Sequence, residues 1–473
     1  MNQNSRYVIL TDFGSTYTKV AVADLQEKRI AAADRFPSTV ATDARIGLQQ
    51  CFDAACQAIG KGEFEQALKL SSSSAAGGLR MGVVGISSML SLQAGRNAAF
   101  GAGAKILRTC TGKMTEADME ELCALPLEIL LFCGGYERGN SSVLLHNARM
   151  LADSTLHIPI IYAGNSAVAP DVRRILTLGR KEFYVVRNII PEVGMLDSGP
   201  VESIIRDVFL KRIINMKGLD KVAGMLDKMV MPTPAAVLRA GELLAAGTPD
   251  QEGVGDLMIV DVGGATTDIH SYAEQTPYEG AKIVGAAEPY TKRTVEGDLG
   301  MRESSGSLCA EIGMERMCRD AGLKEAEISR IIGRWVTEKY VLAQTEDERK
   351  IDRLLAAGAA RISARRAARI SARRHAGRIE RIASAGVKTV QQGKNLTGVR
   401  TVVGTGGPLI FGGSPREILS GVLRSPSGEP DILLPEESDF YLDRDYVFFA
   451  GGLLREVDED AALSLMKNSL EKI

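Results

Sequence analysis

The stretch Leu257–Tyr272, Leu-Met-Ile-Val-Asp-Val-Gly-Gly-Ala-Thr-Thr-Asp-Ile-His-Ser-Tyr, constrains this chain more than any other. Met258 to Val260 are apolar and strand-forming, and the chain then breaks at a glycine turn before a second strand. Asp261 ends the apolar run where a carboxylate can face a metal. Gly263 and Gly264 let backbone N–H groups approach phosphate oxygens, and Thr266 and Thr267 can donate hydroxyls. The same grammar opens the chain: Val8, Ile9 and Leu10 lead through Thr11 to Asp12-Phe-Gly14-Ser15-Thr16-Tyr-Thr18-Lys19, and Val20 to Val22 form the return strand. Asp12 aligns with Asp261, Gly14 with Gly263 and Thr18 with Thr267. One copy alone would describe an ordinary hairpin with a glycine turn. Two copies, each opening one half of the chain, imply two related lobes that grip a polyphosphate between them.

A chain of 473 residues is long enough for two or more domains. With 57 basic and 59 acidic side chains the formal charge is −2, which gives no push toward nucleic acid or an anionic membrane. The cysteines (51, 56, 110, 123, 133, 309 and 318) are odd in number and contain no Cys-x-x-Cys pair. That argues against a disulfide framework, a zinc ribbon or an iron–sulfur site and for a reducing cytoplasm. The longest apolar runs, such as Leu127 to Cys133, are too short to span a bilayer.

Between the two hairpins, Arg29 to Phe36 is expected as a third strand and Thr42 to Ile59 as a helix, with apolar positions including Ile46, Leu48, Cys51, Phe52 and Ala55. Ser71 to Gly78 is either a flexible linker or a cleft loop, the linker being favoured. A strand follows at Met81 to Ile86. Alternating strands and helices from Leu127 to Val186 predict an inserted α/β module. Gly199 to Met231 reads as helical, and Ala235 to Ala246 as another helix. The expected organisation is a first lobe at 1–126, the module at 127–190, a helical connection at 191–256 and a second lobe at 257–473.

Beyond the second hairpin, Thr294 to Arg302 is expected as a polar loop and Ser307 to Ala385 as mainly helical. Within it Ala359 to Arg366 is repeated as Ala367 to Arg374; eight residues of helix leave a drift of about 80°, so the copies cannot share a face. Thr401 to Val403 then runs into Gly404-Thr-Gly406-Gly407-Pro408, a third glycine turn, where the backbone could lie flat against an adenine or ribose. Tyr446 to Leu470 reads as a closing helix. An ATPase site follows from these parts: Asp12 and Asp261 hold Mg2+ largely through waters, two glycine turns surround the phosphates, and Lys19 adds positive charge. No Gly-x-x-x-x-Gly-Lys-Ser/Thr occurs, so this is not a P-loop chain.

With its phosphate-1, phosphate-2 and adenosine motifs at Asp12 to Lys19, Asp261 to Asp268 and Val402 to Gly407, the chain resembles the acetate and sugar kinase, heat-shock chaperone and actin superfamily. Leu10-Thr-Asp-Phe-Gly-Ser-Thr-Tyr-Thr-Lys, Asp261-Val-Gly-Gly-Ala-Thr-Thr-Asp, Glu296-Gly-Asp-Leu-Gly-Met-Arg and Arg374-His-Ala-Gly are, more narrowly, similar to the glutamate mutase accessory proteins. These are also called the glutamate mutase MutL family and are unrelated to mismatch repair. The resemblance implies an α/β, two-lobed actin-like ATPase fold with duplicated mixed-sheet domains and an inserted α/β module. It also implies ATP and Mg2+ as cofactors and an adenosylcobalamin-dependent carbon-skeleton mutase or aminomutase as partner, from which damaged cobalamin is released. Relative to that family the arginine-rich repeat looks like an eight-residue insertion. Cobalamin-ligating modules carry Asp-x-His-x-x-Gly; the nearest approach here, Asp268-Ile-His270-Ser-Tyr-Ala273, ends in alanine, and His270 reads as a strand histidine. A small-molecule kinase and a nucleotide-switched scaffold remain as alternatives.

Overall fold

The computed structural model describes residues 5–473 apart from 15–16, 41, 75–78, 140, 193–194, 215–223, 264–266, 297–308, 310–312, 338–342, 359–374, 384–386, 412–414 and 425–429. The tandem repeat therefore lies outside the described residues. The first hairpin is β1 (Tyr7–Phe13) and β2 (Tyr17–Asp24), extended by β3 (Arg29–Pro37) in an antiparallel meander and by β4 (Leu68–Ser73) parallel to β1. The chain then leaves through β5 (Arg80–Gly85), β6 (Lys105–Thr111), β7 (Ile129–Gly134), β8 (Ile160–Gly164) and β9 (Phe183–Val185). It returns as β10 (Lys228–Pro232), which pairs parallel with β4. The first sheet thus has the order β10-β4-β1-β2-β3.

The second half repeats this plan. β11 (Leu257–Val262) and β12 (Thr267–Tyr272) form the hairpin; β13 (Lys282–Val284) stands apart, and β14 (Thr291–Glu296) adds antiparallel to β12. β15 (Arg378–Ala383) and β16 (Val387–Gln392) join β13 in a small separate sheet. β17 (Thr401–Thr405) lies parallel to β11, β18 (Asp439–Asp443) parallel to β17, and β19 (Leu470–Lys472) closes the edge. The order β14-β12-β11-β17-β18-β19 is, β19 apart, the first sheet's order of third, second, first, fourth and fifth strand. Two sheets of one topology, each opening with the Asp-x-Gly hairpin, make this a two-lobed actin-like fold with an inserted α/β module.

Equivalent helices leave the fifth strand of each lobe: Thr233–Ala246 after β10 and Phe448–Leu454 after β18. They pack on each other between the lobes, in a core that joins Val8, Leu10 and Leu70 of the first sheet to Leu257, Ile259 and Val403 of the second. The approach is close enough that a Cβ on Gly452 would collide with the backbone of Ala236. The first lobe's other face is covered by the Ala44–Ile59 helix, which Asp43 caps by accepting from the Arg45 N–H at 3.0 Å. Leu48, Cys51, Phe52 and Ala55 of that helix are buried, whereas Ile46, counted with them in sequence, is 52 % exposed.

Several segments differ from their sequence reading. The module's sheet is all parallel, in the order β6-β5-β7-β8-β9, so it takes in β5 and β6 and starts at Arg80, upstream of Leu127. Ser71 to Ser73, favoured as linker, are buried residues of β4, because pairing with β1 on one side and β10 on the other overrides the loop preference of serine. Lys228 to Met231 belong to strand β10, not to a helix. Thr294 to Glu296 lie in β14, whose Lys292, Arg293 and Thr294 are polar yet buried, the lysine paired with Glu288 and the arginine with Asp268. Arg378 to Ala383 form a strand where helix was expected, held in a hairpin with β16. The closing helix is two helices, Phe448–Leu454 and Glu459–Ser469, and the first packs between the lobes rather than on the second alone.

Candidate functional site

Both hairpins end at the cleft between the lobes. In β1 the apolar residues Ile9 and Phe13 face one core and Val8 and Leu10 the other, so the alternation leaves Asp12 at the strand end, buried, among polar groups. Its carboxylate accepts from Lys19 Nζ at 3.1 Å, from Ser72 Oγ of β4 at 3.1 Å, and from the hydroxyl of Thr233 at the head of the interlobe helix. Lys19 is Asp12's register partner on β2. Its ammonium also donates to the Tyr446 hydroxyl at 3.0 Å and lies 4.1 Å from the centre of that ring. Burial opposes the Lys19 charge, but Tyr446 and Asp12 outweigh it and hold the amine above its ordinary range. Tyr446 comes from the far lobe and has φ 56°, a left-handed conformation uncommon for a bulky residue, held by its N–H on the Asp443 carbonyl at 3.1 Å.

Asp261 occupies the matching position in the second hairpin, and its environment is reversed. Its register partner on β12 is Asp268, where the first hairpin has a lysine. Loss of solvent and the negative charge of Asp268 push the Asp261 carboxyl up to about 7, against a smaller opposing pull from Lys19 and Arg293. Asp268 itself is held by Arg293, at 2.6 Å. Lys19 acts on Asp261 as well as on Asp12, and Tyr446 feels both carboxylates, so the two aspartates converge on one cationic centre from opposite lobes.

The third glycine turn meets the same place. Gly406, at φ 95°, lies so close to β11 that a Cβ there would strike the Val262 carbonyl and stand 2.8 Å from Asp261 Oδ1. Gly407 begins a short helix, with open space where its side chain would be. Gly404 has an inward use: its missing side chain makes room for Leu409 and Leu419, so it serves packing of the sheet. Gly14 donates to the Tyr17 carbonyl at 3.0 Å, and a Cβ on it would lie 2.5 Å from that oxygen. Gly263 follows the end of β11, and Thr267, buried, begins β12. Ser15, Thr16, Gly264 and Thr266 lie outside the described residues.

Sequence reasoning missed Ser72, Thr233 and Tyr446, which the fold brings to Asp12 and Lys19. It also missed Asp443, whose buried carboxylate accepts from Thr405 Oγ1 at 2.8 Å, Ser469 Oγ at 2.8 Å and the Val447 and Phe448 N–H groups, thereby seating the second interlobe helix. Burial raises the Asp443 carboxyl against these donors. Ser72 and Thr405 are equivalent positions, the register partners of Asp12 and Asp261. The duplicated plan is the signal that would have found them. His270 is buried in β12 with neither ring nitrogen bonded, and burial drives its pKa well down.

A test of fit for Mg2+ rests on Asp261: a carboxyl raised toward neutrality at the cleft is a group that a hard divalent cation would relieve, and an oxygen-only donor set with Asp12 suits magnesium. Among the described residues no cluster of three metal-ligating side chains occurs. No described helix is long and apolar enough to cross a membrane.

A family model described as MutL protein matches residues 8–470. Protein MutL of Clostridium tetanomorphum is 35% identical over 472 residues, covering 98% of this chain and 99% of its own. Solved structures align along the chain more loosely. The activator of the 2-hydroxyisocaproyl-CoA dehydratase from Clostridium difficile, with bound ADPNP, is 10% identical at a TM-score of 0.26, covering 98% of this chain and 95% of its own. The ethanolamine utilization protein EutJ from Carboxydothermus hydrogenoformans is 12% identical at 0.30, covering 97% and 89%. The fold assignment stands on strand order and not on these superpositions.

Proposed function

The chain belongs to the MutL protein family, and on that footing we propose that it is an ATP-dependent accessory protein, a reactivating chaperone, for an adenosylcobalamin-dependent mutase such as glutamate mutase or an aminomutase. ATP is hydrolysed in the interlobe cleft. The observation that carries the nucleotide reading is the convergence of Asp12 and Asp261, from two copies of one hairpin, on the Lys19–Tyr446 centre. Asp12 and Asp261 would hold Mg2+, which supplies the positive charge that β- and γ-phosphates need in phosphoryl transfer. Gly263 would present its backbone N–H to the phosphates, together with Ser15, Thr16, Gly264, Thr266 and Thr267, while Gly14, whose N–H is held by the Tyr17 carbonyl, would let the first hairpin turn tightly beside them, and Gly406 and Gly407 would flank the nucleoside. The mutase partner is supported by the resemblance of the motifs to the glutamate mutase accessory proteins. The module and the helices between Met314 and Gly358 are the surfaces left for it, since Asp12, Lys19 and Asp261 would be taken up by the nucleotide and its metal.

The test is reconstitution. Mutase carrying inactive cobalamin is mixed with this protein, fresh adenosylcobalamin and ATP, ADP or a non-hydrolysable analogue. Recovery of mutase activity is expected with ATP alone. No recovery, combined with ATP turnover that depends on an added hydroxyl or carboxylate substrate, would replace the chaperone with a small-molecule kinase.

A further inference from the structure

We propose that Tyr446 is a phosphate-binding residue: its hydroxyl, fixed by Lys19 of the opposite lobe, donates its hydrogen to a β- or γ-phosphate oxygen of the nucleotide. This role rests on the nucleotide reading above and adds to that cleft a phosphate contact supplied by the second lobe.

The hydrogen-bond inventory of the hydroxyl is incomplete without such a ligand. The Tyr446 oxygen accepts from Lys19 Nζ at 3.0 Å, and a phenol that accepts in this way still has its own hydrogen to donate. Among the described residues nothing accepts that hydrogen. Lys19 likewise spends two of its three N–H groups, on Tyr446 and on Asp12 at 3.1 Å. Tyr446 is half-buried, and its phenol stands within electrostatic reach of both Asp261 and Asp12. Burial holds the phenol above its ordinary range against the pull of Lys19, so the oxygen keeps its proton at neutral pH. An O–H whose oxygen already accepts from an ammonium is polarised into a stronger donor. The acceptor that suits it best is an anionic oxygen.

The backbone holds this ring in place at a cost. At φ 56° Tyr446 lies in the left-handed region, which a bulky side chain seldom adopts and which is strained unless its surroundings enforce it. Asp443 enforces it from both sides. Its carbonyl accepts from the Tyr446 N–H at 3.1 Å, and its carboxylate accepts from the N–H groups of Val447 at 3.0 Å and Phe448 at 3.2 Å. The ring so aimed has its centre 4.1 Å from Lys19 Nζ, with the Phe449 ring 5.8 Å from the same ammonium. A phenylalanine would give Lys19 the same ring-face attraction, so the hydroxyl is what tyrosine adds. Because Lys19 and Tyr446 come from different lobes, a phosphate that takes a hydrogen bond from Tyr446 favours the lobe angle in which the two side chains meet.

Calorimetric titration of the full chain with ADP and a non-hydrolysable ATP analogue, and competition against labelled ADP for AMP, compare the wild type with Tyr446→Phe. The variant keeps the ring over Lys19 and loses one oxygen. Either both longer nucleotides or the ATP analogue alone should bind at least about tenfold more weakly, as for a lost hydrogen bond to a charged acceptor, while AMP binds as before. Loss on both assigns the hydroxyl to the β-phosphate, and loss on the analogue alone to the γ-phosphate. Equal weakening of all three nucleotides, which a displaced lobe would give, or no weakening at all, would overturn the contact. Should Tyr446→Phe fail to fold, Tyr446→Asn carries the same comparison, since asparagine tolerates φ above zero. In a Lys19→Gln background Tyr446→Phe should still weaken binding at least about threefold; a loss that vanishes there means that Tyr446 acts only through Lys19 and also overturns the contact. Wild-type chain that binds no nucleotide defeats the nucleotide reading and this role with it, whereas wild-type binding with a uniform response in the variant defeats this role alone.

Discussion

Asp12 and Asp261 hold equivalent places in two copies of one hairpin, yet a lysine faces the first and an aspartate the second. Asp12 is held by three donors, whereas the Asp261 carboxyl is raised by burial and by the charge of Asp268. Replacing either with alanine should lower Mg-dependent ATP hydrolysis about a hundredfold or more while the fold persists, since a lost charge-stabilising group costs on the order of 3 kcal/mol. Steady-state turnover and circular dichroism check this. The raised Asp261 carboxyl also predicts a pH dependence. The folded chain binds this proton more tightly than the unfolded chain does, so the stabilisation is complete below the ordinary carboxyl range and is lost as pH rises through about 7. Metal-free protein should therefore melt lower at pH 8 than at pH 5, with Asp261→Asn flattening that part of the difference. A dependence unchanged by the substitution would show that Asp261 carries no raised pKa. Both aspartates were legible in sequence because motif and strand are contiguous. Ser72, Thr233 and Tyr446 were not, since no local pattern says which hydroxyl meets Asp12 across 60 or 221 positions of chain, or Lys19 across 427.

At the scale of elements, strands with clean apolar runs or alternation were legible: β1, β2, β7, β11 and β12 all lie where the sequence places them. Two of those that failed, β4 and β14, carry polar residues inward. β4 ends in serines that serve the cleft, and β14 buries Lys292 and Arg293 against partners far off in sequence. Hydrophobic periodicity cannot register a strand whose buried side chains are charged. The glycine-rich Phe-Phe-Ala-Gly-Gly-Leu-Leu helix shows the opposite case, a weak helix former placed by packing. Gly452 lies against the backbone of Ala236 and Gly451 against Met466. Gly452→Val should force the interlobe helices apart and cost roughly 1–3 kcal/mol, as overpacking does. A melting temperature within error of the wild type would mean that the helices are not in close contact in solution.

Over the whole molecule the module is the element that belongs to both halves. Its core is continuous with the first lobe, where Met81, Leu131 and Ile161 pack with Ile9 and Leu48. Its Ser91–Gly101 helix and the turn before it nevertheless hydrogen-bond the second lobe: the Phe100 carbonyl accepts from Arg293 at 2.8 Å, the Met89 carbonyl in the turn from the Ala286 N–H at 3.0 Å, and Asn97 donates to Glu288. Any change of lobe angle must break these contacts or carry the module with it, so a nucleotide that alters the angle also moves the module's surface. If that surface meets the mutase, linkage requires the mutase to change ATP and ADP affinities unequally, by the same factors with which the nucleotides change its own binding. Titrating labelled ATP and ADP with and without mutase measures those factors. Asn97→Ala removes a hydrogen bond to a charged acceptor, worth about 1.5–3 kcal/mol, from one lobe arrangement only. It should therefore shift the ratio of ATP to ADP affinity by up to about tenfold, part of the bond's worth being lost to water. An unchanged ratio in the variant would make the module a passive passenger on the first lobe. Equal affinities with and without mutase would uncouple the nucleotide from the partner altogether.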